Sequence, residues 1–122
     1  MFYIIFNNYH ENIPTKGEGN PPDPQSKNGK KILVNNVILL KGNINYTTFY
    51  LEHGVEKVVA RTLKFFEPFL ETHGFLRVHR AFMINPNFVK EYNYEQEFLT
   101  MSNGQRADIS RRRKHTLKKF VE

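Results

Sequence analysis

The sequence contains no cysteine, which removes disulfides, thiolate metal sites and cysteine nucleophiles together. It also lacks a long hydrophobic run. The opening "MFYIIFNNYH" holds an apolar stretch with no preceding lysine or arginine, too short for a signal peptide and far too short to cross a bilayer, so the chain is expected to be cytoplasmic, with no membrane partner. The histidines (His10, His53, His73, His79, His115) show none of the spacings that suit zinc. No Gly-rich phosphate loop opens a helix, there is no G-x-S-x-G elbow, and the carboxylates are scattered rather than paired for acid–base work. No catalytic residue, metal, cofactor or small-molecule substrate is expected, and the chain does not read as an enzyme.

What is present is positive charge on an ordinary globular background. Hydrophobic residues make up 39% and charged residues 25%, a soluble folded chain rather than a disordered one. The 122 residues have room for one domain plus a tail. The net charge is +6, and residues 1–29 hold Lys16 and Lys27 against Glu11, Glu18 and Asp23, so the excess belongs to residues 30–122. A basic domain favours polyanionic partners, nucleic acid or an acidic membrane face.

The stretch "NNYHENIPTKGEGNPPDPQSKNGK" (7–30) is broken by Pro14, Pro21, Pro22 and Pro24 with Gly17, Gly19 and Gly29. It cannot hold a continuous helix or a central strand, so residues 1–29 read as an arm or linker and 30–122 as the domain. "FYIIF" (2–6) reads either as an edge strand, added to the domain or to a neighbouring chain, or as a frayed terminus. "ILVNNVILL" (32–40), "YTTFYLE" (46–52) and "VEKVVAR" (55–61) read as strands, the last two joined through "EHG" (52–54), with Gly54 available for positive φ. "TLKFFEPFLETHG" (62–74) predicts a helix capped by Thr62, with Leu63, Phe66 and Leu70 on one face and Gly74 as its stop; Pro68 is expected to kink or split it. "FLRVH" (75–79) predicts a strand, "RAFMIN" (80–85) one helical turn, and "FVKEY" (88–92) a strand. "EFLTM" (97–101) and "QRADI" (105–109) form a hairpin about "SNG" (102–104). Ser110 caps a terminal helix, "RRRKHTLKKFVE", with Leu117, Phe120 and Val121 as a thin apolar stripe.

Three segments gather the groups that could meet a polyanion. In "FLRVHRAFMIN" the period of two puts Leu76 and Val78 inward and Phe75, Arg77 and His79 on the opposite face. Arg80 would then fall inward, an unpaired buried charge, so the strand must end near His79 and present Arg80 at a loop. Arginine can read guanine through a bidentate fork, and histidine can serve base edges or phosphate. Equally, His79 could cap local backbone, and Arg77 could brace Glu71 or Glu91. Asn85 precedes Pro86 and reads first as a turn initiator. The break "KGNINYTTF" (41–49) puts Lys41, Asn43, Asn45 and Tyr46 on an exposed loop. Last, Arg111, Arg112, Arg113 and Lys114 follow Ser110 at a helix N-terminus, where the macrodipole is already positive. The repulsion of the three arginines from one another and from the dipole costs about 0.3–1 kcal/mol each unless an anion compensates, and a phosphate backbone is such an anion. A plain solvated helix face is the alternative.

Over roughly residues 30–120 the sequence resembles the LytTR family of bacterial DNA-binding domains. Four blocks carry the likeness in order: "GNINYTTFYLEHG" (42–54), "ARTLKFFEPFL" (60–70), "GFLRVHRAFMINPNFV" (74–89) and "SNGQRADISRRR" (102–113). Ala81 stands where the family pattern has serine, and Pro68 falls within the helix block. The resemblance implies a mainly β fold, an elongated arrangement of small antiparallel sheets with two short helices, inserting loops into successive major grooves. Contacts are then expected near Asn45–Tyr46, His79–Arg80 and Ser110–Arg112. The family's commonest architecture adds a receiver domain, for which residues 1–29 have no room.

The full expected contact set is Lys41, Asn43, Asn45, Tyr46, Arg77, His79, Arg80, Asn85, Ser110, Arg111, Arg112, Arg113 and Lys114. The expected function is a response-regulator-like transcription regulator that binds double-stranded DNA in a sequence-specific way, on tandem half-sites, with a homodimer on DNA left open. The rival readings are a non-specific RNA-binding or nucleoid-type protein, and an anchor to a partner protein or acidic membrane through "FYIIF".

Overall fold

A computed structural model describes residues 3–5 and 31–121. The prolines and glycines of 7–30 lie outside the described residues, as do the side chains of Lys118, Lys119, Phe120 and Val121. The strands are β1 (Tyr3–Ile5), β2 (Lys31–Leu33), β3 (Val37–Gly42), β4 (Thr47–Leu51), β5 (Glu56–Val59), β6 (Leu76–His79), β7 (Phe82–Ile84), β8 (Val89–Asn93), β9 (Phe98–Met101) and β10 (Arg106–Asp108). The helices are α1 (Leu63–Glu71) and α2 (Arg111–Val121). The fold is mainly β: a five-stranded antiparallel sheet in the order β5-β4-β3-β7-β6, a three-stranded sheet β10-β9-β8, and the pair β1-β2.

Both faces of the five-stranded sheet are covered. Leu40, Phe49, Leu51, Val59 and Met83 pack on one face with Leu63, Phe66 and Leu70 of α1 and with Ile4, Ile32 and Val34. Leu39, Val78 and Ile84 pack on the other with Leu99, Met101, Ala107, Ile109 and Leu117. The loop residues 43–46 and Arg80–Ala81 at one end of the sheet belong to neither core.

Four local expectations are corrected. The run 32–40 is two strands, because the poor strand formers Asn35 and Asn36 turn the chain through a 3-10 segment over buried Val34. "RAFMIN" is no helical turn but a two-residue turn leading into β7. Pairing wins there over the local preference of Ala and Met, since β7 bonds β3 on one side and β6 on the other, and Met83 and Ile84 enter opposite cores. Pro68 does not split α1, which runs unbroken across it. The donor it removes would have met the carbonyl of exposed Lys64, where water can serve instead. Thr62 stands at the N-cap, but its side chain makes no capping bond.

The N-terminal strand pairs within the chain, Ile4 opposite Ile32, and Ile4 joins the α1-side core. Gly54 has a positive φ of 75° and so does His53 at 66°, giving the tight β4–β5 turn that its sequence anticipated. Ser110 caps α2, its Oγ accepting from the Arg113 amide at 3.2 Å.

Asn85 closes β7 at the end away from the β6–β7 turn. It is 5% exposed, its Nδ2 donates to the Val37 carbonyl at 2.9 Å and its Oδ1 accepts from the Asn87 amide at 3.0 Å. Truncation to alanine leaves a carbonyl and an amide without these partners. Asn85→Ala is expected to lower the unfolding free energy by about 2 kcal/mol in urea titration, through the cost of unsatisfied buried groups.

Candidate nucleic-acid interface

Antiparallel order brings the 43–46 loop, the Arg80–Ala81 turn and the β5–α1 connection to one end of the five-stranded sheet. Two backbone bonds then fasten the loops to each other. The Gly42 amide donates to the Ala81 carbonyl at 2.7 Å, and the Ser110 amide donates to the Val78 carbonyl at 2.8 Å. The first ties the β3–β4 loop to the β6–β7 turn, and the second brings the start of α2 to the end of β6. Gly42 also lets α1 pack close, since a Cβ there would meet the Leu63 Cβ at 3.1 Å. The three segments singled out in the sequence, far apart in the chain, thus converge on one edge.

The 43–46 loop is a tight turn. The Asn43 amide donates to the Tyr46 carbonyl at 2.7 Å, and Asn43 Oδ1 accepts from the Ile44 amide at 2.7 Å. Lys41, Asn43 and Asn45 are exposed and Tyr46 is half-buried. Lys41 Nζ also lies 6.0 Å from the Phe82 ring centroid. Asn45 and Tyr46 line an open recess of about 350 Å³ with Ala60, Arg61, Thr62 and Phe65, and Arg61 stacks on Phe65 at 4.5 Å.

In the β6–β7 turn a bulge between Arg77 and His79 breaks the period-two alternation. This corrects the expected face of His79. Arg77 faces α1, whereas the His79 ring packs edge-on against Phe82, 5.8 Å away, beside the other core. The expected solvent-facing side is covered too, since Phe75 is 3% exposed. His79 Nδ1 accepts from the Ala81 amide at 3.0 Å, so a neutral ring carries its proton on Nε2. Arg80 is exposed at the turn, where the cost of burying it had placed it.

Arg77 is largely occupied within the protein. Its guanidinium donates to Glu67 Oε1 at 2.5 Å, to the His79 carbonyl at 2.9 Å and to the Arg80 carbonyl at 2.6 Å. It braces Glu67 rather than Glu71 or Glu91. Glu71, one turn on from Glu67, has its pKa raised, first by desolvation and then by the Glu67 charge, against the lowering pull of Arg113 and Arg77.

At the start of α2, Arg111 and Arg112 are exposed, Arg113 is half-buried, and no acidic residue stands in the first turn. Lys114 reaches back instead, its Nζ 3.3 Å from Glu97 Oε2 and 4.0 Å from the Tyr94 ring centroid. An exposed arginine pair on a positively polarised helix end is suited to hold an anion. Sequence reading missed three groups here: Glu67 and Glu97, whose partners are set by tertiary contact, and Ile44, visible as one apolar residue in a polar loop.

The family model of the LytTr DNA-binding domain matches residues 27–122. The chain belongs to the LytTR family. A solved LytTr DNA-binding domain from Bacillus cereus superposes with a TM-score of 0.65 at 25% identity, over 75% of this chain and 86% of that one. No curated protein sequence matches the chain. The LytTR family is a DNA-binding family, not an enzyme family, and membership implies DNA-binding transcription regulation. Among the described residues, no helix is long and apolar enough to cross a membrane.

Proposed function

We propose that this LytTR domain is a sequence-specific regulator that sets the loop edge of its five-stranded sheet into successive major grooves of double-stranded DNA. The observation that carries the reading is the fastening of the three loops through the Gly42–Ala81 and Val78–Ser110 bonds. It puts exposed Asn43, Asn45, Arg80, Arg111 and Arg112 at one edge, with Lys41 close behind. Roles divide by what each side chain is free to do. Arg80 and Asn45 have the forked or paired donors and acceptors that read base edges, and Asn43, whose Oδ1 holds the Ile44 amide, offers its Nδ2 donor, with Tyr46 and His79 beside them. Arg111, Arg112 and Lys41 hold phosphate, with Ser110 capping the helix that presents them. Arg77, Asn85 and Lys114 keep their polar atoms within the fold and position the others, while Arg113 lies between the phosphates and Glu71. Residues 30–122 are the DNA-binding unit, with β1 completing its core, and the arm spans 1–29. The protein works in the cytoplasm on tandem half-sites, one copy to each, without cofactor or small-molecule substrate.

The test is competition binding with a duplex selected from a random pool by the full chain. The selected duplex should survive excess random DNA and structured RNA. Displacement by random DNA and structured RNA as readily as by unlabelled selected duplex would favour the non-specific nucleic-acid reading instead. On that duplex, Arg111→Ala and Arg112→Ala are each expected to weaken binding on specific and random DNA alike. Each should flatten the slope of log K against log salt by about 0.9, the signature of one lost phosphate contact. An unchanged slope would remove the helix start from the interface.

A further inference from the structure

Ile44 is 84% exposed, well beyond the next large apolar side chain among the described residues, Phe65 at 54%. It stands at the tip of the 43–46 loop with no share in either core. Turn chemistry does not call for it. The residues that favour turns are Gly, Asn, Asp, Ser and Pro, and a β-branched side chain has stiff rotamers and no local bond to offer. Nor does the backbone need a special residue, since Ile44 is not among the positive-φ positions.

The loop nonetheless holds Ile44 firmly. Its amide is bound by Asn43 Oδ1 and the turn is closed by the Asn43–Tyr46 bond. The two stems are anchored by the Gly42–Ala81 bond and by Thr47 Oγ1 donating to the Arg61 carbonyl at 2.7 Å. An isoleucine is thus displayed on a rigid pedestal, between exposed Asn43 and Asn45 and near exposed Lys41. Its complement must be anionic, rich in donors and acceptors, and yet offer one small apolar spot.

The major-groove edge of a T·A pair has that combination. Thymine presents its C5-methyl there beside its O4 acceptor, adenine presents N7 and N6, and phosphates flank both. The minor groove offers no methyl, and uracil in RNA lacks it.

We propose that Ile44 is a specificity-determining residue that packs on the C5-methyl of one thymine, while its asparagine neighbours meet the adjoining polar edges. This deepens the DNA-binding reading and rests on it. Burying a methyl against a fixed apolar side chain is worth about a fourfold change in affinity.

The test replaces each thymine of the selected duplex in turn with deoxyuridine, which deletes the methyl and keeps base pairing. With the full wild-type chain, one position should cost about fourfold in affinity. In Ile44→Ser that same swap should cost nothing, and Ile44→Val should retain part of the effect. Thermal unfolding of both variants should match wild type, because Ile44 lies outside the cores. Swaps that cost the same in Ile44→Ser as in wild type, or that cost nothing at any position in wild type, overturn the proposal. If those results come with a selected duplex that still depends on Arg80, the DNA-binding reading stands and Ile44 alone is displaced. A chain that selects no duplex at all overturns both.

Discussion

Arg80→Ala is expected to weaken binding to the selected duplex by about 1–3 kcal/mol, roughly 5- to 150-fold, and to weaken random duplex far less. Two features converge on this size of effect. Arg80 is exposed at a two-residue turn, so its fork is free to meet a base edge. The turn is fixed from both sides, by the Gly42 amide on the Ala81 carbonyl and by Arg77 on the Arg80 carbonyl itself. Little conformational entropy therefore remains to be lost when the side chain docks, beyond its own rotamers. Base preference at about one position should relax in the variant. Binding measured on a panel of single-base variants of the duplex gives both numbers at once. Equal losses on specific and random DNA would make Arg80 a backbone clamp.

How much of this edge was legible in the sequence follows from which interactions are local. Arg80 was placed correctly by one rule, the cost of burying an unpaired charge, and β6 ends at His79 as that rule requires. The Ser110 cap is equally local, a hydroxyl meeting an amide three residues on. The face of His79 was not legible, because the bulge beside Val78 depends on how β6 registers against β7. β7 itself was hidden for the same reason: four consecutive apolar residues carry no alternation when both faces of a central strand are buried. Asn85 shows the limit from the other side. It read first as a turn initiator while standing in the expected contact set, and its side-chain amide joins Val37, 48 positions earlier, a partner that no local pattern encodes.

Arg77 carries the other large expectation, on stability first and DNA second. Its side chain is 10% exposed and that of Glu67 is 22% exposed, so the pair is shielded enough for its loss to matter. Arg77→Ala would leave the Glu67 carboxylate uncompensated beside Glu71, and would strip the His79 and Arg80 carbonyls of their shared donor. Breaking such a partly buried pair from one side should lower the unfolding free energy by about 2 kcal/mol, between the values for exposed and fully buried ion pairs. Arg77→Lys should recover only part of this, since one ammonium cannot span the carboxylate and two carbonyls as the planar fork does. Because the same bonds hold the His79–Arg80 turn, discrimination between specific and random duplex should fall even after correction for the folded fraction. Glu67→Gln separates a brace from a contact. Glu67 is anionic and on α1, and can offer DNA no attraction of its own. If Arg77 acts by bracing, Glu67→Gln should reproduce a weaker form of the same loss of discrimination, and neither variant should change the salt slope. If instead Arg77→Ala flattens the slope by about 0.9 while Glu67→Gln leaves DNA binding intact, Arg77 meets the phosphates directly. The partly buried fork would then have to leave Glu67 on binding, giving the edge a moving part that the free protein does not display.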